Sequence, residues 1–117
     1  MNYHLNQIPD RTTKPRQKGL TMVMDKGLSL RQVEDFLETG ADYTDIVKLG
    51  WATSYVTPNL KEKLALYKSA GIPVYFGGTL FEAFYVRGQF EDYRRLLDEF
   101  GMEHAEVSDG SIEMESD

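Results

Sequence analysis

Cysteine is absent from the 117 residues, which rules out a disulfide framework and a thiolate zinc site. Histidine is scarce. His4 and His104 lie near opposite ends of the chain, and two such separated imidazoles argue against a histidine-based zinc centre. Cationic side chains are outnumbered, 13 Lys and Arg against 19 Asp and Glu, for a formal charge of -6. That balance argues against a nucleic-acid partner. No apolar run approaches the roughly 18 residues needed to cross a bilayer, and the opening stretch MNYHLNQIPDRTTKPRQK lacks the apolar segment of a signal peptide. A cytoplasmic protein with no membrane partner is the expectation.

What is present alternates. Residues 1–18, with two prolines and four Lys or Arg, read as a polar N-terminal arm before Gly19. LTMVMD then reads as a short buried strand. SLRQVEDFLETG reads as a helix, with Ser29 and Gln32 forming a capping box and Gly40 ending it. TDIVKLG is a second strand. TPNLKEKLALYKSAG is a second helix, with Thr57 as N-cap, Pro58 at the first helical position and Gly71 at the end. IPVYFGG is a third strand, and Thr79 with Glu82 forms another capping box. The helical text that follows is broken by Gly88 and resumes as FEDYRRLLDEFG. EHAEVSDG reads as a fourth strand before the acidic SIEMESD. The order is β-α-β-α-β-α-β, an α/β domain with parallel strands joined by right-handed crossovers.

The charges fall at strand ends. Strand one ends in Asp25 and Lys26, strand two carries Lys48 before Gly50 and Trp51, strand three ends in Gly77, Gly78 and Thr79, and strand four holds Glu106, Ser108 and Asp109. In parallel α/β folds that edge binds ligands. Period-2 alternation puts Thr21, Val23 and Asp25 on one face of strand one, and Leu20, Met22 and Met24 on the other. With the apolar faces packed on helices, Asp25, Lys48, Glu106 and Ser108 are expected to share one central space. Plainer readings stand beside this one. Asp25 and Lys26 suit a solvated turn, Lys48 a structural ion pair with Glu106 or Asp25, Glu82 its capping box, and the paired glycines a simple turn. Carboxylates without His or Cys suit a hard cation such as Mg²⁺.

Four stretches in order, KPRQKGLTMVMDKG, DYTDIVKLGWATSYV, YFGGTLFE and EVSDGSIEM, together resemble the phosphosulfolactate synthase family, the sulfite-adding enzymes of coenzyme M biosynthesis. The resemblance runs from about Lys14 to Met114. It implies a TIM barrel, phosphoenolpyruvate and sulfite as anionic substrates, Mg²⁺ as cofactor and (2R)-3-phosphosulfolactate as product. Under it, Asp25, Glu106 and Asp109 are expected around the metal and Lys48 as the general acid. Lys26 and Arg16 are expected to hold anionic groups, with Gly78 and Ser108 also at the substrate.

A (β/α)₈ barrel takes about 250 residues, so residues 19–117 are expected to form the N-terminal half of such a barrel, ending after its fourth strand. Little turnover is expected from that half alone, and self-association into a homo-oligomer is expected of its raw edges. The alternative is a non-enzymatic homologue, like the heat-stress-associated proteins of plants, or a half-barrel acting through self-association. A Schiff-base aldolase using Lys48 is a third reading.

Overall fold

A computed structural model describes residues 2–7 and 12–108 of the chain. Three strands pair in parallel in the order β1 (Met22–Asp25), β2 (Ile46–Leu49) and β3 (Val74–Phe76). Four helices connect and follow them: α1 (Leu30–Gly40), α2 (Leu60–Ser69), α3 (Gly78–Val86) and α4 (Phe90–Glu99). Strand and helix alternate through β3, the pattern of one half of a TIM barrel. No helix among the described residues is long and apolar enough to cross a membrane.

Local chemistry explains several boundaries. The Ser29 hydroxyl accepts from the Gln32 N–H, and the Gln32 side chain accepts from the Ser29 N–H at 2.9 Å, so the expected capping box opens α1. Gly88, at φ +68°, separates α3 from α4. Two caps differ from expectation. α2 starts after Asn59, which takes the left-handed conformation, while the Thr57 hydroxyl donates to the Thr53 carbonyl instead. α3 starts after Gly77 with no side-chain cap, so Thr79 and Glu82 make no capping box. Residues 103–108 do not join the sheet, so the fourth strand is absent among the described residues.

The register sets which side chains share a face. Val23, Val47 and Val74 are aligned, as are Asp25, Leu49 and Phe76. This face is covered by helices. Val47 packs with Val33, Tyr67 and Ile72, and Leu49 and Phe76 pack with Leu80, Phe81 and Tyr93. The opposite face carries Met22, Ile46, Met24, Lys48 and Tyr75. Among the described residues no helix covers it, and Met22 and Met24 are exposed. The alternation on β1 is as expected, but the face turned to the helices is the one that carries Asp25.

Candidate active site

Lys48 stands on the open face of β2, one residue before the strand's end. Its Nζ donates to Glu106 Oε2 at 3.2 Å, and the other carboxylate oxygen accepts the Gly78 N–H at 2.9 Å. That amide is the first of α3, where the helix dipole favours an anion. Two residues on, the Ser108 hydroxyl donates to Glu82 Oε2 at 2.5 Å. Glu106 and Ser108 turn toward α3 while Ala105 and Val107 are exposed, so the alternation expected here holds without a strand ladder. Gly78 is required by this close approach. A Cβ there would lie 2.8 Å from Glu106 Oε1 and collide with the Ser108 hydroxyl.

At the ends of the neighbouring strands, Lys26 places its ammonium 5.9 Å from the centre of the Trp51 ring, within range of a cation–π contact. Trp51 and Ala52 both have positive φ, 56° and 59°. For non-glycine residues such backbone costs energy and gathers at functional sites. Trp51 itself is exposed. This edge therefore presents one ammonium against an exposed indole and another against a carboxylate, beside a helix N-terminus.

Asp25 is elsewhere. It lies on the helix-covered face and is fully buried. Its Oδ1 accepts the Gly27 and Leu28 N–H groups, each at 2.8 Å, and the Lys63 ammonium at 3.0 Å, while Oδ2 accepts the Tyr67 hydroxyl at 2.8 Å. The carboxylate thus ties the β1–α1 turn to α2 and is saturated by donors. The shared space expected for Asp25, Lys48 and Glu106 is corrected accordingly: only Lys48 and Glu106 meet. Arg16 is likewise occupied. It donates to Asp45 Oδ1 at 2.7 Å and to the Asp42 and Thr12 carbonyls. Asp45 immediately precedes β2, so Arg16 sits at the other end of the sheet, roughly 13 Å from the mouth at about 3.3 Å per strand residue. It pins the N-terminal arm. Asp109 lies outside the described residues.

Burial by itself would push the Asp25 carboxyl up. The Leu28 N–H, the Lys63 ammonium, the Gly27 N–H and the Tyr67 hydroxyl outweigh it and hold the group below the ordinary carboxylate range. Burial, and then the hydrogen bond to this carboxylate, push the Tyr67 hydroxyl up. A folded-state value below the unfolded one means Asp25 stabilises the fold above about pH 4, the unfolded aspartate's pKa. That contribution is lost as pH falls below this value toward the depressed folded one. The difference in urea midpoint between the unaltered protein and Asp25→Asn is therefore expected to shrink from pH 7 to pH 3. A difference independent of pH would contradict the assignment.

The family follows from comparison with known sequences. The pattern of the family described as (2R)-phospho-3-sulfolactate synthase (ComA) matches residues 9–117. The chain belongs to the phosphosulfolactate synthase family. It is 48% identical over 100 residues to the phosphosulfolactate synthase of Methanocaldococcus jannaschii, a match covering 84% of this chain and 40% of the relative. It is 38% identical over 114 residues to the Bacillus subtilis phosphosulfolactate synthase, covering 97% of this chain and 45% of the relative. With the Methanothermobacter thermautotrophicus phosphosulfolactate synthase it shares 38% over 111 residues, 93% and 43% of the two chains. The chain thus spans less than half the length of these curated relatives.

Among the described residues, one carboxylate at the mouth, Glu106, is of the kind that a hard cation such as Mg²⁺ takes. Mg²⁺ takes one or two carboxylates and completes its shell with water and substrate oxygens. Glu106 is part-exposed at the mouth, and its longer contact is to a flexible ammonium. Asp25, buried under four donors on the opposite face, has no room for a cation. Among the described residues no three acidic or imidazole side chains converge as a ready-made cage.

Sequence reasoning missed Lys63, Tyr67 and Glu82. The first two stand four apart on α2 and so share a face, in line with Leu60 and Leu64. A lysine inside an apolar stripe was the available signal. Glu82 is a lone carboxylate within GTLFEAFY, which the capping-box reading had already explained.

Proposed function

We propose that this chain supplies the proton-donating part of a Mg²⁺-dependent phosphosulfolactate synthase, which adds sulfite to phosphoenolpyruvate to give (2R)-phospho-3-sulfolactate, with the sulfonate on the former methylene carbon and the phosphate on the neighbouring one. The observation that carries the reading is the Lys48–Glu106 pair, at 3.2 Å on the uncovered face at the strand ends, in a chain of this family. The sulfur lone pair of sulfite forms the new bond to the methylene carbon. The π pair of the double bond then moves to the phosphate-bearing carbon and into the carboxylate. A proton must arrive at that carbon, and in this reading Lys48 Nζ, on the open face near the end of β2, delivers it; it is recharged from water. Glu106 orients the ammonium, and Lys26 at the end of β1 holds an anionic group of the substrate. Mg²⁺, held by Glu106, would supply positive charge against the substrate carboxylate.

The test is direct. Protein expressed from the complete reading frame, given phosphoenolpyruvate, sulfite and Mg²⁺, is expected to give a new phosphate-ester signal in ³¹P NMR with the mass of phosphosulfolactate. The signal is expected to need all three additions and to vanish with EDTA. No product from well-folded protein would overturn the reading, and full activity in EDTA would remove Mg²⁺ from it.

A further inference from the structure

Glu82 is buried, 3% exposed, at the middle of α3. A carboxylate in such a place costs several kcal/mol unless hydrogen bonds compensate it, and the Ser108 hydroxyl donates to it. Glu106, two residues before Ser108, bonds the first amide of the same helix and Lys48. Residues 103–108 pair with no strand among the described residues. The extended segment is thus tied to α3 at two side chains on its inward side, with Gly78 lying between them as the one residue small enough to fit. One tie faces Lys48. The other is further into the helix.

We propose that Glu82 is a positioning residue of the site: through Ser108 it anchors residues 103–108, so that Glu106 stays seated on the Gly78 amide and holds the Lys48 ammonium in place. The bearing on catalysis rests on the function proposed above; the clasp itself does not. Without the second tie, the bonds of Glu106 to Lys48 and Gly78 are the side-chain bonds that remain to residues 103–108 among the described residues. Glu106 would then exchange between Gly78 and water, and Lys48 would sample rotamers away from the reacting carbon.

The experiment compares the unaltered protein with Ser108→Ala, Ser108→Thr, Glu82→Ala and Glu82→Gln, reading hydrogen exchange of the Gly78 amide by NMR alongside kcat and KM. Ser108→Ala is expected to speed Gly78 exchange about tenfold, the scale of one net hydrogen bond. It is expected to lower kcat by a similar factor with KM nearly unchanged, at a temperature where the variant is folded. Ser108→Thr keeps the hydroxyl, and Glu82→Gln keeps an acceptor oxygen, so both are expected to restore most of the protection. Glu82→Ala is expected to match Ser108→Ala; if it fails to fold, the serine pair still decides. Unchanged Gly78 exchange in Ser108→Ala overturns the proposal. So does faster exchange with kcat intact in an active parent. If the parent makes no phosphosulfolactate, the exchange data still judge the clasp while the function proposed above fails.

Discussion

Lys48→Met is expected to leave a folded protein that has lost its chemistry. A positioned proton donor contributes about 10²–10⁴-fold to rate, so kcat is expected to fall by at least about a hundredfold on the same scale. The fold is expected to tolerate the change for three reasons. Lys48 lies on the uncovered face, its Glu106 partner is 36% exposed in its side chain, and Glu106 keeps the Gly78 amide as a donor. Partly exposed ion pairs contribute about 0–1 kcal/mol. Steady-state kinetics with purified protein, paired with a urea titration, checks both halves of this expectation. A variant retaining more than about a third of parental kcat would show that the proton at the reacting carbon comes from elsewhere.

Lys63→Met is expected to do the reverse. Removing one member of a buried ion pair costs about 3–5 kcal/mol, because the remaining charge is left in a medium that solvates it poorly. Here the Asp25 carboxylate would keep two backbone N–H groups and the Tyr67 hydroxyl, so the loss belongs at the lower end, about 3 kcal/mol. Asp25→Ala strands four donors at once and is expected to cost about 5 kcal/mol or to prevent folding. Urea titration at pH 7 orders the two. A loss below about 1 kcal/mol for Lys63→Met would mean the pair is solvated and the burial of Asp25 overstated.

These opposite expectations for two lysines show where the sequence was readable. Alternation along β1 and β2 identifies which residues share a face, because side chains in a strand have period two. It does not say which face the helices cover. Met22 and Met24 look like the packed side and Asp25 like the exposed one. The deciding residues, Lys63 and Tyr67, stand 38 and 42 positions further along the chain. A carboxylate becomes a core residue only when such distant donors arrive, and no local pattern around Asp25 announces them. Lys48 and Glu106 were legible because an isolated charge between Val47 and Leu49 needs a partner, and alternation turned Glu106 and Ser108 the same way. The pairing itself was foreseen as the plain structural alternative, and it is also what places the ammonium. The segment after α4 alternates like a strand, but pairing also needs a neighbour within ladder distance. Among the described residues side-chain bonds to α3 and β2 hold it instead. Arg16 took its functional reading from the family resemblance; Asp45 and the Asp42 carbonyl claim its charge at the far end of the sheet.

The division of labour between the two faces is the central claim, and one measurement tests it: kcat per folded molecule for Lys48→Met and Lys63→Met, each assayed with phosphoenolpyruvate, sulfite and Mg²⁺ at a temperature where both are folded. The account predicts near-parental turnover for Lys63→Met and a loss of at least about a hundredfold for Lys48→Met. Equal losses, or the greater loss at Lys63, would place the chemistry on the buried face and contradict it.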